Sequence, residues 1–409
     1  MEQESLFALA RRPIFDQQQK LWGYEIRCLH EGGADSDDIA SSERALASLA
    51  SSSYIGLQQV SEQGKRLVVS FGETAVLEQM PYALPPSRAA IKIDESSARP
   101  QEIRSSLEQL KADGYLLALS GFSGDSRWRE IYGLCDILSL HMRTAESLSG
   151  VAERMKGYSA LRLAAGIADR SLLSRCQESG FDLFQGGYFK SPEDVPVRRI
   201  TSNEVARLRL MGLIEEDDPD FPKLAEAVQA DAALSFRLLG YLNSAAFGFR
   251  QSIKSIRQAI TLLGWVRMRQ WLRVAILSDM GRTAHSSELV YLAAQRGRFL
   301  ELLGERYDYW GFDPESLQML GLFSLLDAML GMPMEEAVRY LPVEEKLKGA
   351  LRREPNNEYL PLLALAEATE EEEPSLTVGL VSRLGLDLDG IRRTHRSAVE
   401  WANQLLAAG

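Results

Sequence analysis

Over residues 1–195 the chain alternates short, β-rich apolar runs with longer stretches of helical period. The apolar runs fall at 8–16, 66–71, 89–93, 115–119, 137–142, 160–167 and 183–189, and amphipathic segments lie between them at 41–55, 101–112 and 171–179. Strand alternating with helix predicts parallel strands joined by helical crossovers. Seven or more such units are expected to close as a (β/α) barrel of the TIM type rather than an open sheet. In such a barrel the C-terminal strand ends face the mouth where chemistry is built.

From about Ser202 the pattern changes. Strand signals vanish and helical periodicity takes over, as in FPKLAEAVQADAALSFRLLGYLN, IRQAITLLGWVRMRQWLRVAIL and 287–305. The stretch 190–201 (KSPEDVPVRRIT), with two prolines and mixed charge, reads as a linker. Residues 245–255, around Gly248, read as a loop between helices. The expected organisation is therefore α/β plus all-α: a barrel over 1–195 and a helical domain over 196–409. The acidic run 367–374 (EATEEEEP) reads as a solvated helix end and turn.

Composition narrows the function. Apolar residues make up 45% and charged residues 25% of the 409, the balance of a soluble protein. A net charge of −11 argues against general binding to nucleic acid or membrane surfaces, since phosphate-rich partners are repelled unless a local basic patch intervenes. Charge interrupts every long apolar stretch, so no transmembrane helix is expected, and the acidic opening MEQESLFALARRP shows no basic leader. Cys28, Cys135 and Cys176 are far apart and odd in number, which suggests neither a zinc site nor a disulfide framework and fits a reducing cytoplasm. His30, His141, His285 and His395 are scattered; none stands beside an Asp or has a second His at helical spacing. There is no Walker loop, GxSxG elbow or GxGxxG after a strand. The turn Gly121-Phe122-Ser123-Gly124 lacks the lysine or glycine-rich helix start of a phosphate loop.

The opening RRPIFDQQQKLWGYEIR resembles the first strand and loop of EAL domains, which hydrolyse cyclic di-GMP. The resemblance continues through LPPSRAAIKIDE, GYLLALSGF, CDILSLHM, LRLAAGIA and GFDLFQGGYF. The second half resembles an HDOD domain, in DAALSFRLLGYLNSAAFG, SIRQAITLLGW and LGLFSLLDAMLGMPMEEAVRYLP. It covers nearly the whole chain, in the order of two-domain EAL–HDOD proteins.

The EAL resemblance implies a divalent-metal site of hard oxygen ligands at the strand ends. By that resemblance the signature Glu is kept as Glu25, but the motif reads EIRCL and its later basic position is Leu29. The metal-binding Asn is Ser70, the next Glu is Lys92, the Asp-Asp pair is Ser120-Gly121, and the following Lys and Asp are Ser139 and His141. The paired glutamates are Ala165 and Ala168; Gln185-Gly186 survives. One carboxylate cannot hold two divalent ions. A lysine among the ligands costs cation binding on the order of a few kcal/mol more. No metal or cofactor is therefore expected, nor phosphodiesterase activity unless ligands have relocated to Asp94, Glu95 or Asp136. Lys92 has two readings: it holds an anion, such as a nucleotide phosphate, near Gln185, or it pairs with Glu25 or Glu95. The pairing is preferred because Glu25, without a metal, needs a partner.

The HDOD resemblance implies a helical protein-interaction module. Arg267, Arg269, Trp271 and Arg273 are the candidate interface, with a second basic cluster at 251–257, because arginine and aromatics are enriched at interfaces. Three functions follow as expectations: a non-catalytic, cytoplasmic signalling scaffold that binds a protein partner; a receptor that binds cyclic di-GMP without hydrolysis; or an active phosphodiesterase. No membrane or nucleic-acid partner is expected.

Overall fold

The computed structural model describes residues 7–30, 65–142, 148–190, 202–216, 219–229, 234, 264–280, 285–307, 311–341, 343–371 and 374–407. The chain divides into two compact units, Met1–Phe189 and Lys190–Gly409.

In the first unit eight strands close a barrel in chain order: β1 (Phe7–Asp16), β2 (Leu21–His30), β3 (Arg66–Ser70), β4 (Ala89–Asp94), β5 (Leu116–Ser120), β6 (Ile137–His141), β7 (Leu161–Ala165) and β8 (Leu183–Phe184). From β2 to β8 neighbours are parallel, as the alternation predicts. β1 is not: it runs antiparallel to both β2 and β8. The expected all-parallel sheet is corrected by the turn that follows β1. Asp16 Oδ1 accepts from the backbone N–H of Gln18 and of Lys20, each at 2.9 Å, and Gln19 takes a left-handed φ of 60°. A connection this short makes a hairpin, because a parallel crossover needs a dozen residues or more.

The expected strand at 183–189 is also shorter than its apolar run. Gly186 turns the chain at φ 152°, where an added Cβ would stand 2.2 Å from the Ile167 carbonyl oxygen. A 3-10 helix, Gly187–Lys190, follows, and its Tyr188 and Phe189 rings pack edge-on to Phe15 at 6.2 and 5.3 Å. Two crossover helices match their predicted segments: Pro100–Ala112, and Arg170–Glu178, whose first turn is capped by Asp169 accepting from Leu172 N–H at 2.8 Å. The helix expected at 41–55 lies outside the described residues.

The barrel interior follows from period two. Ile14, Val68, Ala90, Ala118, Ile137, Leu163 and Leu183 form one apolar cluster, seven of the eight strands giving one residue each, with Trp22 and Leu116 packed against it. Their sequence neighbours Leu67, Val69, Ile91, Leu117, Leu119, Leu138, Ala164 and Phe184 are also buried, on the opposite strand face. Strands buried on both faces explain why the runs read as continuously apolar rather than alternating.

The described residues of the second unit are helical, including Ser202–Ile214, Phe221–Gln229, Trp265–Met280, Ser286–Arg306, Pro314–Phe323, Leu360–Glu370, Pro374–Leu384 and Leu388–Ala407. Ser286–Arg306 and Pro314–Phe323 meet at backbone distance: a Cβ on Gly321 would come within 2.4 Å of the Gly297 nitrogen. The segments 191–201, 245–255 and 251–257 lie outside the described residues. The solvated reading of the acidic run is corrected at Glu370, while Glu371 is exposed. Glu370 is buried and bonded by Arg296 Nε at 2.5 Å and by Lys190, because the helix Leu360–Glu370 turns its last acids onto Arg296 of the central helix. Among the described residues no helix is long and apolar enough to cross a membrane. Cys135 and Cys176 are free and buried, and burial pushes their thiols up to about 12 and about 11.

Candidate functional site

One step above the apolar layer the barrel interior turns polar. Glu25 pairs in register with Val68, and Arg12 pairs with Glu25, so all three share the inner face with Ile14. Two residues on, Arg27 joins them at the rim. The same period brings in Ser70 from β3, Lys92 and Asp94 from β4, Ser120 from β5, and Ser139 and His141 from β6. Arg11, one residue off, faces outward and lies over the Tyr24 ring at 4.8 Å. The parity is thus borne out by a contact on the other face.

At the centre stands Glu25, whose side chain is 9% exposed. Lys92 Nζ donates to its Oε1 at 2.5 Å and Gln185 Nε2 to its Oε2 at 3.0 Å. The structure thus brings together Glu25, Lys92 and Gln185, which the sequence singled out. Burial alone would raise the Glu25 carboxyl. The charge of Lys92, then that of Arg12, the Lys92 hydrogen bond and Arg27 outweigh it and hold the group at about 2. Glu25 is an anion at any working pH, and its counter-cation is a side chain.

The other mouth carboxylates are occupied. Asp94 accepts from Ser96 N–H at 2.9 Å and from Ser120 Oγ at 2.8 Å. Burial would raise its carboxyl, but these hydrogen bonds and Lys92 hold it below the usual range. Glu95 accepts from Ser123 N–H at 3.0 Å and Tyr132 Oη at 2.9 Å, which ties down the turn after β5. Asp136 lies just before β6, at the barrel end away from the mouth, bonded to Lys111 at 2.5 Å and to Leu117 N–H at 2.8 Å. Of the three acids considered as relocated ligands, two stand at the mouth bonded to protein donors and the third stands at the far end. Ser139 is buried and His141 exposed at the rim, where an added Cβ on Gly166 would meet the His141 ring at 2.4 Å. Ala165 and Ala168 supply no donor atom. The side chain of Leu29 lies outside the described residues. Among the described residues no three His, Cys, Asp or Glu side chains are grouped to hold a metal ion.

Arg12 and Arg27 were not singled out from the sequence. They could have been: once the 17–20 hairpin turn is recognised, register places Arg12 opposite Glu25 and the strand period places Arg27 beside it.

In the helical unit the candidate interface residues do not share a surface. Arg267 is exposed. Arg269 pairs with Glu315 and lies 5.9 Å from the Trp265 ring. Trp271 is buried, and Arg273 is 1% exposed, its Nε and Nη2 bonded to Glu215 at 2.6 and 2.5 Å and its Nη1 to Gln318. The helix Trp265–Met280 turns Trp271 and Arg273 inward and leaves Arg267 exposed, which a count of arginines and tryptophans cannot detect.

Residues 201–301 match the family model of the HDOD domain. The chain is 27% identical to a Bacillus subtilis (strain 168) protein named uncharacterized protein YuxH, over 98% of this chain and 99% of that protein. It is 26% identical to a Vibrio cholerae protein named cyclic di-GMP phosphodiesterase CdgJ, over 97% of this chain and 92% of that one. Among solved structures, an EAL domain protein from Listeria monocytogenes EGD-e matches at 17% identity and a TM-score of 0.36, over 45% of this chain and 87% of that one. Klebsiella pneumoniae BlrP1 matches at 15% identity and a TM-score of 0.35, over 44% of this chain and about half (54%) of that one. Likeness at those scores carries no argument about the site. Residues 201–301 thus match the HDOD domain, and the chain as a whole is similar from end to end to these two relatives, in keeping with the two-domain EAL–HDOD proteins that its sequence resembles.

Proposed function

We propose that this chain is a signalling protein of cyclic di-GMP pathways whose barrel does not hydrolyse the dinucleotide, and that it acts as a scaffold for a protein partner. The observation that carries this reading is the Lys92–Glu25 pair at 2.5 Å. A carboxylate needed for a divalent cation is bound by a tethered ammonium, and bringing in a metal would require breaking a half-buried ion pair and placing like charges together. The test is incubation with cyclic di-GMP and Mn²⁺ or Mg²⁺, followed by chromatography for linear dinucleotide. No product is expected. Product that disappears in Glu25→Ala would overturn the reading, as the name of the Vibrio cholerae relative would lead one to anticipate.

A second reading, a receptor that binds cyclic di-GMP without turning it over, is favoured by one observation. Arg12, Arg27 and Lys92 crowd one carboxylate on the inner barrel face. Calorimetric titration with cyclic di-GMP separates the two readings: micromolar or tighter binding supports the receptor, and silence supports the scaffold.

A further inference from the structure

Around Arg296 of the helical unit, cations and glutamates are matched to one another. Arg296 is bonded to Glu370 at 2.5 Å and to Glu367 at 3.2 Å, and Lys190 to Glu370 and Glu371. Arg353 grips Glu367 with two nitrogens, at 2.5 and 3.1 Å. A fourth acid stands in the field of these arginines. Asp327, in the first turn of the helix Leu326–Leu330, is half-buried and accepts from the Ala328 N–H at 2.8 Å. Among the described residues no cation lies within ion-pair distance of it. The helices packed against it carry Arg296 and, on the short helix Met334–Ala337, Glu335, which is exposed, and Glu336, which is half-buried. Burial outweighs its backbone hydrogen bonds and the charges of Arg353 and then Arg296, and raises its carboxyl to about 6.

The two arginines differ in freedom. Arg296 is buried and has Ser324 as a further acceptor. The Arg353 side chain is 49% exposed, and its residue follows the C-cap of the helix Glu345–Leu351 with a left-handed φ of 60°. Its N–H closes that helix on the Ala350 carbonyl at 3.0 Å. Glycine is the usual residue at such a position, because a side chain strains a left-handed backbone. A strained arginine there points to a use for its guanidinium.

We propose that Asp327 is a proton-operated switch for Arg353. With Asp327 neutral, Arg353 stays forked on Glu367 and pins the turn 352–357 to the helix Leu360–Glu370. With Asp327 ionised, two carboxylates compete for one half-exposed guanidinium, Arg353 is drawn from Glu367, and the turn loosens. The helical unit thereby reads mild acidification at a surface turn, a response that neither reading of the barrel supplies.

The test uses the full chain labelled with ¹⁵N-arginine, followed between pH 5 and 7.5. The Arg353 Nε–H signal, identified as the one missing from Arg353→Gly, should move with a single midpoint in that range. Amide exchange of the turn 352–357, corrected for the intrinsic effect of pH, should be about threefold or more faster at the upper end. Both responses should vanish in Asp327→Asn, which holds the neutral state. Arg353→Gly relieves the left-handed strain, so it stays folded, and its turn should exchange alike at both pH values. A stationary Arg353 signal, or a response that persists in Asp327→Asn, would overturn the proposal. So would an Arg353→Gly turn with the pH dependence of the wild type, since Asp327 would then act without the arginine.

Discussion

Both units bury charge, but they place it differently. In the helical unit Arg273 and Arg296 sit between helices with their donors spent on protein acceptors: Arg273 on Glu215 and Gln318, Arg296 on Glu370, Glu367 and Ser324. In the barrel the buried Glu25 lies near the C-terminal ends of the strands, bonded by Lys92 and Gln185 and lowered further by the charges of Arg12 and Arg27. Charge that is locked between helices sets helix positions; the Lys92–Glu25 pair stands instead at the strand ends, where chemistry is built in barrels of this type. This difference, rather than the number of arginines, separates framework from site.

The comparison can be broken most severely at Arg296. Arg296→Met should leave the Glu370 carboxylate with Lys190 as its cation and destabilise the helical unit by about 3–5 kcal/mol, read as a lower urea midpoint by circular dichroism. A loss under 1 kcal/mol would show that the network is not structural.

Acid is the next lever, because it touches both units. The Glu25 and Glu370 carboxyls lie at about 2, below their ordinary 4.5, the latter because Arg296 and Lys190 outweigh the effect of burial. Their stabilisation is therefore complete above about pH 5 and is lost as pH falls through 4.5 towards 2, by about 2–3 kcal/mol for each group. A series of urea midpoints between pH 7 and 2.5 measures it, and the Glu25 share should shrink in Lys92→Met, where only Arg12 and Arg27 still lower the carboxyl.

A smaller effect is expected from Glu25→Gln. It leaves Lys92 without its carboxylate, but the Lys92 side chain is 20% exposed and can turn to water, so the cost should be about 1–3 kcal/mol, below that of Arg296→Met. An equal or greater cost would erase the distinction between mouth and framework.

The smallest effect carries the opposite sign. Burial raises the Asp327 carboxyl to about 6 in spite of its backbone hydrogen bonds and of Arg353 and Arg296. Its ionised form is disfavoured on folding, so stability is lost as pH rises from 3.8 through about 6. Asp327→Asn should be more stable than wild type at pH 7.5 by about 1–2 kcal/mol, with the gain vanishing near pH 4.

Much of the barrel was legible because its strands are buried on both faces and read as apolar runs. β2 escaped as a separate strand because its inner positions, Gly23, Glu25 and Arg27, approach the mouth and carry no apolar signal. The Lys92–Glu25 contact was legible because the resemblance placed Lys92 at a strand end near Glu25, and a buried acid needs a cation nearby. Arg12 and Arg27 were not, since their place depends on hairpin register. In the helical unit periodicity located the helices Trp265–Met280 and Ser286–Arg306, yet which arginines face inward depends on partners such as Glu215, 58 positions before Arg273.

The reversed first strand has a practical consequence. Because β1 runs from the mouth towards the floor, Ala10, opposite Arg27, lies at the rim on the inner face. A fluorophore attached there through Ala10→Cys, with Cys28→Ser, would stand at the rim of the barrel mouth. The buried thiols of Cys135 and Cys176, both held well above neutral pH, would compete little for the reagent. The hairpin is thus an optical port: occupancy of the mouth can be followed as a colour change while the helical unit is titrated with any partner.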